Sequence, residues 1–208
     1  MSVLQTNRFP KNKIMLITQP GPHLLTVISS ALSNGVGIVQ LRDKHATDQE
    51  IIQLAKRIKH LTDSYRVPLI INDRLNVACE LGLGLHVGQN DTHPREARRM
   101  LGPKPLLGLT SHLRVDLIQQ ASEWIDYIGC GPVYQTRTKL DTMPVIGLTG
   151  LHLICKSTPL PVVAIGGINQ NNVSPVWRAG AEGIAVCGAI CHAADPGKAT
   201  KRLVEKGE

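Results

Sequence analysis

Short apolar runs of strand length recur along the chain, separated by polar stretches with helical periodicity. Runs rich in Ile, Leu and Val predict strands near residues 14–18, 37–42, 68–72, 85–87, 106–109, 125–129, 162–165 and 184–187. Helices are predicted between them near 23–33, 48–63, 74–81, 94–101, 115–121, 148–156 and 172–179, with a closing helix near 196–206. Asp48 and Thr92 read as N-caps, Pro94 and Pro196 as first-turn prolines, and Gly35, Gly82, Gly102 and Gly180 as helix stops. Eight β-α units in 208 residues meet the lower size limit of a closed (β/α)8 TIM barrel. Parallel strands with short connections favour closure over an open doubly wound sheet. No shift in composition divides the chain, so a single domain is predicted over residues 14–208. Residues 1–13 read as a polar N-terminal extension, expected to be partly disordered. The longest irregular stretch, near 131–147, has the length of a functional loop.

Composition supports this picture and removes several classes. Hydrophobic residues make up 42% of the chain but aromatics only 3%, so the core must be aliphatic, as in buried parallel strands. The formal charge is +7, but the basic residues Lys56, Arg57, Lys59 and His60, and then Arg95, Arg98 and Arg99, fall on helical stretches and read as solvated faces. With so few stacking aromatics, a nucleic-acid platform is not expected. Cys79, Cys130, Cys155, Cys187 and Cys191 are dispersed without a C-x-x-C pair, which argues for a reducing compartment and against a disulfide framework or zinc site. Cys187 and Cys191 could face each other across a helical turn, although small buried apolar residues is the plainer reading. There is no apolar signal core and no run near the ~20 residues of a membrane span. A cytoplasmic protein without membrane partners is expected, and a homo-oligomer is compatible with the sequence.

In a barrel of this type the C-terminal strand ends carry the chemistry, and polar residues collect there. Gln40, Arg42 and Lys44 end the second run, Asn72 and Asp73 the third, and Asp91 follows the fourth. Thr110, Ser111 and His112 end the fifth; Thr136, Thr138 and Lys139 follow the sixth. Gly166 and Gly167 end the seventh, and Cys187 and Gly188 the eighth. Asp73 and Asp91 supply the one or two carboxylates that Mg²⁺ takes alongside water and phosphate oxygens. Arg42 and Lys139 can neutralise a departing diphosphate, and the glycines admit backbone N–H groups to a second phosphate. Each element alone has a plainer reading. Asp73 could cap a helix, Arg42-Asp43-Lys44 could be an exposed turn, and Trp124 and Trp177 could be packing residues. His86 reads as a satisfied structural histidine, and His112 has no evident partner in the sequence.

From about Ile14 to the C-terminus the chain resembles the thiamine-phosphate synthase family. The resemblance rests on Val39-Gln40-Leu41-Arg42-Asp43-Lys44, Ile71-Asn72-Asp73, His86-Val87-Gly88-Gln89-Asn90-Asp91, residues 129–139 and Val163-Ala164-Ile165-Gly166-Gly167-Ile168. It implies a transferase that couples a hydroxymethylpyrimidine diphosphate to a thiazole phosphate through loss of diphosphate. By that resemblance Gln40, Arg42, Lys44, Asn72, Thr110 and Lys139 hold the pyrimidine diphosphate, with Arg42 and Lys139 catalytic, and Asp73 and Asp91 bind Mg²⁺. Thr136, Arg137, Thr138, Gly167, Cys187 and Gly188 hold the thiazole phosphate. The chain departs from the family pattern at Gly188 and Thr110, where serine is usual, in the stretch 81–85, which is shorter and lacks an acid, and at Gln19-Pro20-Gly21, which replaces an aspartate. The competing readings are an isomerase like the aminothiazole tautomerases and a barrel that binds a phosphorylated ligand without turning it over.

Overall fold

The structure, a computed structural model, describes residues 9, 10, 12–136 and 143–207. Eight parallel strands, β1 (Ile14–Ile17), β2 (Ile38–Leu41), β3 (Leu69–Asn72), β4 (Gly84–Val87), β5 (Leu107–Thr110), β6 (Tyr127–Cys130), β7 (Val162–Ile165) and β8 (Gly183–Val186), close in chain order, with β8 pairing back onto β1. Helices α1 (Leu24–Leu32), α2 (Asp48–Tyr65), α3 (Leu75–Leu81), α4 (Pro94–Leu101), α5 (Val115–Ala121), α6 (Gly147–Ser157) and α7 (Val173–Arg178) link successive strands. A short α8 (Gly188–Cys191) and α9 (Pro196–Glu205) follow β8. The (β/α)8 barrel expected from the sequence is the fold observed.

The strands are mostly apolar because both faces are covered. Leu16, Val39, Ile71, Leu85, Leu107, Ile128, Ala164 and Ile184 point outward and pack with the helices in one continuous core. Met15, Ile17, Ile38, Ile70, Leu106, Tyr127, Val163 and Ala185 point inward and fill the barrel. Each Val, Leu, Ile or Met among them contributes roughly 1.5–3 kcal/mol on leaving water. Tyr127, a large ring fully buried inside the barrel, faces Gly108, where an added Cβ would lie 2.1 Å from Tyr127 Cζ. Phe9 packs tilted on Tyr127 with ring centroids 5.6 Å apart, next to Gly183 at the start of β8. The segment before β1, polar in sequence, therefore delivers one core side chain to the bottom of the barrel.

Three local expectations need correction. The N-caps are Thr47 and His93, one residue from the expected Asp48 and Thr92. Thr47 and Glu50 form a reciprocal capping box, and His93 accepts the Arg95 N–H. Arg98 is not on a solvated face: its guanidinium meets Asp126 at 2.6 Å and the carbonyls of Trp124, Gly102 and Pro105. Lys56, Arg57, His60, Arg95 and Arg99 are exposed as expected. Helix α8 was visible only as the turn that could bring Cys187 and Cys191 together, because one turn is too short to register a period.

Candidate active site

The two aspartates come from adjacent strand ends and meet. Asp73 follows β3 in a left-handed conformation (φ 63°), with its N–H donated to the His86 carbonyl of β4 at 2.9 Å. Burial, then the charge and hydrogen bond of Asp91, push the Asp73 carboxyl up to about 6, against the pull of Lys44 and the Asn72 side chain. Asp91 is held from the other side, where its Oδ2 accepts the Gly88 N–H at 2.6 Å. A Cβ on Gly88 would stand 2.9 Å from that same oxygen, so glycine is what lets the carboxylate sit there. Two like charges at one rim in partly buried surroundings are an arrangement that a cation would relieve.

The loop after β2 brings Arg42 and Lys44 to the same rim. The Arg42 N–H donates to Thr18 Oγ1 at 3.0 Å, and Asp43 Oδ1 accepts from the backbones of His45 and Ala46 at 2.9 and 3.2 Å. Asp43 thus shapes the turn, while Arg42 and Lys44 are left to face the mouth, Lys44 beside Asp73 and Arg42 beside Cys187. Arg74 locks this loop to the next one: its guanidinium pairs with the Asp48 carboxylate and donates to the carbonyls of Ala46 and, at 3.2 Å, Asp43. Sequence reasoning missed Arg74 and Gly88. An arginine after Asn-Asp reads as a helix start, and no local signal reveals that it reaches back to the preceding loop. Gly88 was visible only as part of a motif.

Beneath the rim lies a chain of polar side chains. Gln40 is buried at 3% exposure; its amide donates to Met15 Sδ at 3.4 Å and hydrogen-bonds the Tyr127 hydroxyl. Tyr127 Oη lies 2.9 Å from His86 Nδ1, and His86 Nε2 lies 2.8 Å from Thr110 Oγ1. Burial pushes the Tyr127 phenol far above its usual range. His86 is therefore the satisfied interior histidine that the sequence suggested. His112 does have a partner, contrary to expectation: its Nε2 donates to the Pro144 carbonyl at 3.0 Å.

At the ends of β6 to β8 the glycines have a structural reason before any ligand is considered. Gly166 and Gly167 have φ of 102° and 66°, and Cβ atoms there would lie 2.5 Å from Pro132 Cβ and from the Gln135 carbonyl oxygen. Val133 and Tyr134 donate their N–H groups to the Ile165 and Gly166 carbonyls at 2.8 and 3.0 Å, seating the loop after β6 on β7. Thr136 is half-buried at the last described position of that loop. Arg137, Thr138 and Lys139 lie outside the described residues. Cys187 caps α8 and Gly188 opens it, with Cys187 Sγ 3.6 Å from Gln19 Oε1.

A family model described as thiamine monophosphate synthase matches residues 14–190, nearly the whole barrel. The chain belongs to this family. A thiamine-phosphate synthase of Chloroflexus aurantiacus is 44% identical over 178 residues, 85% of this chain and 82% of that protein. One of Vibrio parahaemolyticus is 39% identical over 196 residues, 92% and 96% of the two chains. The solved thiamine phosphate pyrophosphorylase of Pyrococcus furiosus superposes with a TM-score of 0.84 at 32% identity, over 97% of this chain and 98% of its own. Membership in the thiamine monophosphate synthase family makes the chain an enzyme of the thiamine-phosphate synthase class, acting on small molecules. Among the described residues no helix is long and apolar enough to cross a membrane.

Proposed function

We propose that the chain joins a hydroxymethylpyrimidine diphosphate to a thiazole phosphate, releasing diphosphate and forming thiamine phosphate, with Mg²⁺ as its cofactor. The observation that carries this reading is the Asp73–Asp91 pair at the mouth, with Lys44 beside it. The pair fits Mg²⁺. It supplies two hard carboxylate donors, it leaves the remaining positions to water and phosphate, and its mutual repulsion vanishes on binding a divalent cation. When bound, the ion would offset the negative charge that grows on the departing diphosphate.

The chain's own residues do the rest. Arg42, Lys44 and Lys139 neutralise and orient the diphosphate as its bond to the pyrimidine methylene breaks. Asn72 positions Asp73, and Gln40 and Thr110 line the floor beneath the pyrimidine. Thr136, Arg137 and Thr138 with the backbone at Gly167, Cys187 and Gly188 hold the thiazole phosphate, so that the thiazole nitrogen attacks the pyrimidine-methyl cation. No proton need be moved by an acid–base pair, which agrees with His86 being committed inside the barrel.

Incubation with both substrates in Mg²⁺ or in chelator tests the reading. Thiamine phosphate is expected to form with equimolar diphosphate, and to fall to background when the metal is removed. Absence of product with Mg²⁺ present would sink it, and rearrangement of a thiazole substrate alone would favour a tautomerase.

A further inference from the structure

Helix α8 is a single turn that begins after Cys187 and ends at Cys191, whose N–H donates to the Cys187 carbonyl at 2.9 Å. Four residues apart, the two thiols share one face. They are half-buried and within hydrogen-bonding reach of each other. Cys187 Sγ also meets Gln19 Oε1 at 3.6 Å, and Cys191 Sγ meets the Ile17 carbonyl at 3.7 Å, so the pair sits between the ends of β8 and β1. The proposed chemistry gives Cys191 no part.

We propose that Cys187 and Cys191 form a reactive dithiol at the barrel mouth, which a hydroperoxide closes to a disulfide. Hydrogen bonds from the Cys187 S–H and the Gln19 N–H hold the Cys191 thiol below its usual range, so Cys191 is the sulfur that attacks. Its thiolate takes the distal oxygen of the peroxide, breaking the O–O bond, releasing an alcohol (water from H₂O₂) and leaving a sulfenic acid. Cys187 sulfur then attacks the Cys191 sulfur, forming the S–S bond, and the sulfenic hydroxyl leaves as water with the Cys187 proton. Two thiols are oxidised by two electrons, and one peroxide is reduced.

Closure has a mechanical consequence. Helical neighbours at this spacing hold their Cβ atoms about 5–6 Å apart. A disulfide needs about 3.5–4.5 Å, so the two must draw together by roughly an ångström. The yielding end is Cys187–Gly188: Cys187 stands outside the helix at φ −121° and ψ −82°, and Gly188 has no side chain to obstruct it. The Cys187 thiol lies within electrostatic reach of Arg42. The resulting loss of turnover rests on the proposed function, whereas the bridge itself does not.

The full chain is treated with H₂O₂, residual thiols are blocked, and intact mass, peptide maps and coupling activity are read before and after dithiothreitol. The expected outcome is loss of two hydrogen masses, a peptide joining Cys187 to Cys191, and activity down about a hundredfold, the cost of an ångström-scale misplacement. Dithiothreitol should restore it. Cys191→Ser should keep its activity and form no such bridge. Bridging of Cys130 to Cys155 instead, oxidation of single cysteines without bridging, or equal peroxide sensitivity of Cys191→Ser would overturn the dithiol.

Discussion

Replacing Asp73 by asparagine should stabilise the metal-free protein while disabling the enzyme. The Asp73 carboxyl titrates at about 6 in the fold instead of 3.8, because burial and Asp91 both disfavour its charge. A displacement of about two pH units corresponds to about 3 kcal/mol in the fully buried limit. Asp73 is only half-buried, and solvent screening brings this to on the order of 1–2 kcal/mol. The sign follows from which state releases its proton first. Below 3.8 the carboxyl is protonated in both states and costs nothing. Between 3.8 and about 6 the unfolded chain ionises while the fold resists, so stability falls as pH rises. Above about 6 the whole penalty is present.

Asparagine carries no charge and tolerates the left-handed backbone at this position. In chelator at pH 8 the variant should therefore melt roughly 2–8 °C above the parent, and the gap should close as pH drops toward 4. Magnesium should raise the parent's melting temperature and leave the variant's nearly unchanged, since only the parent holds the full donor pair. Thermal unfolding followed by circular dichroism across pH, with and without Mg²⁺, reads all of this. A variant no more stable than the parent at pH 8, or a gap that persists unchanged into acid, would refute the electrostatic account of the rim.

Arg74→Ala should lower kcat/KM about tenfold to a hundredfold by freeing the loop that carries Arg42 and Lys44. Its melting temperature should fall modestly, because the Asp48 pair is exposed while the Ala46 and Asp43 carbonyls lose their donor. Lys139→Ala should cut kcat, and wild-type turnover would remove it from diphosphate departure. Gly108→Ala drives a methyl to 2.1 Å from Tyr127 Cζ, so urea denaturation should show a loss of about 3 kcal/mol or more. Adding Tyr127→Leu to the same chain should recover part of that loss.

Periodicity carried the architecture because a barrel repeats one physical problem eight times: each strand buries two faces, each helix one. β6 was the strand placed least well, expected near 125–129 and found at Tyr127–Cys130. Ile125 is apolar and buried in the helix-facing core, so nothing in the pattern separates it from the strand that follows. The rim was legible where chemistry and position coincide, at Arg42, Asp73 and Asp91. It was illegible where a contact spans loops. Arg74 and Arg98 are both arginines in helix-starting or helical stretches, yet one staples two loops and the other neutralises Asp126 beneath three carbonyls. Side-chain reach across 26 or 28 residues leaves no trace in a local window. The glycines after β7 were read as an opening for phosphate, and packing against residues 132–135 already accounts for them.

The polar chain inside the barrel also determines what Thr110 can offer a ligand. The Gln40 amide donates to the Tyr127 oxygen, as its lowering effect on that phenol requires. If His86 Nδ1 also donated to Tyr127, the phenolic proton would be left without an acceptor in a fully buried site, at a cost of about 1–3 kcal/mol. Tyr127 therefore donates to Nδ1, the proton of His86 resides on Nε2, and Nε2–H donates to Thr110 Oγ1 across 2.8 Å. The threonine proton is then not spent on His86, and on the proposed function it is left to donate to the substrate above it. The reverse tautomer would present only an acceptor to that ligand.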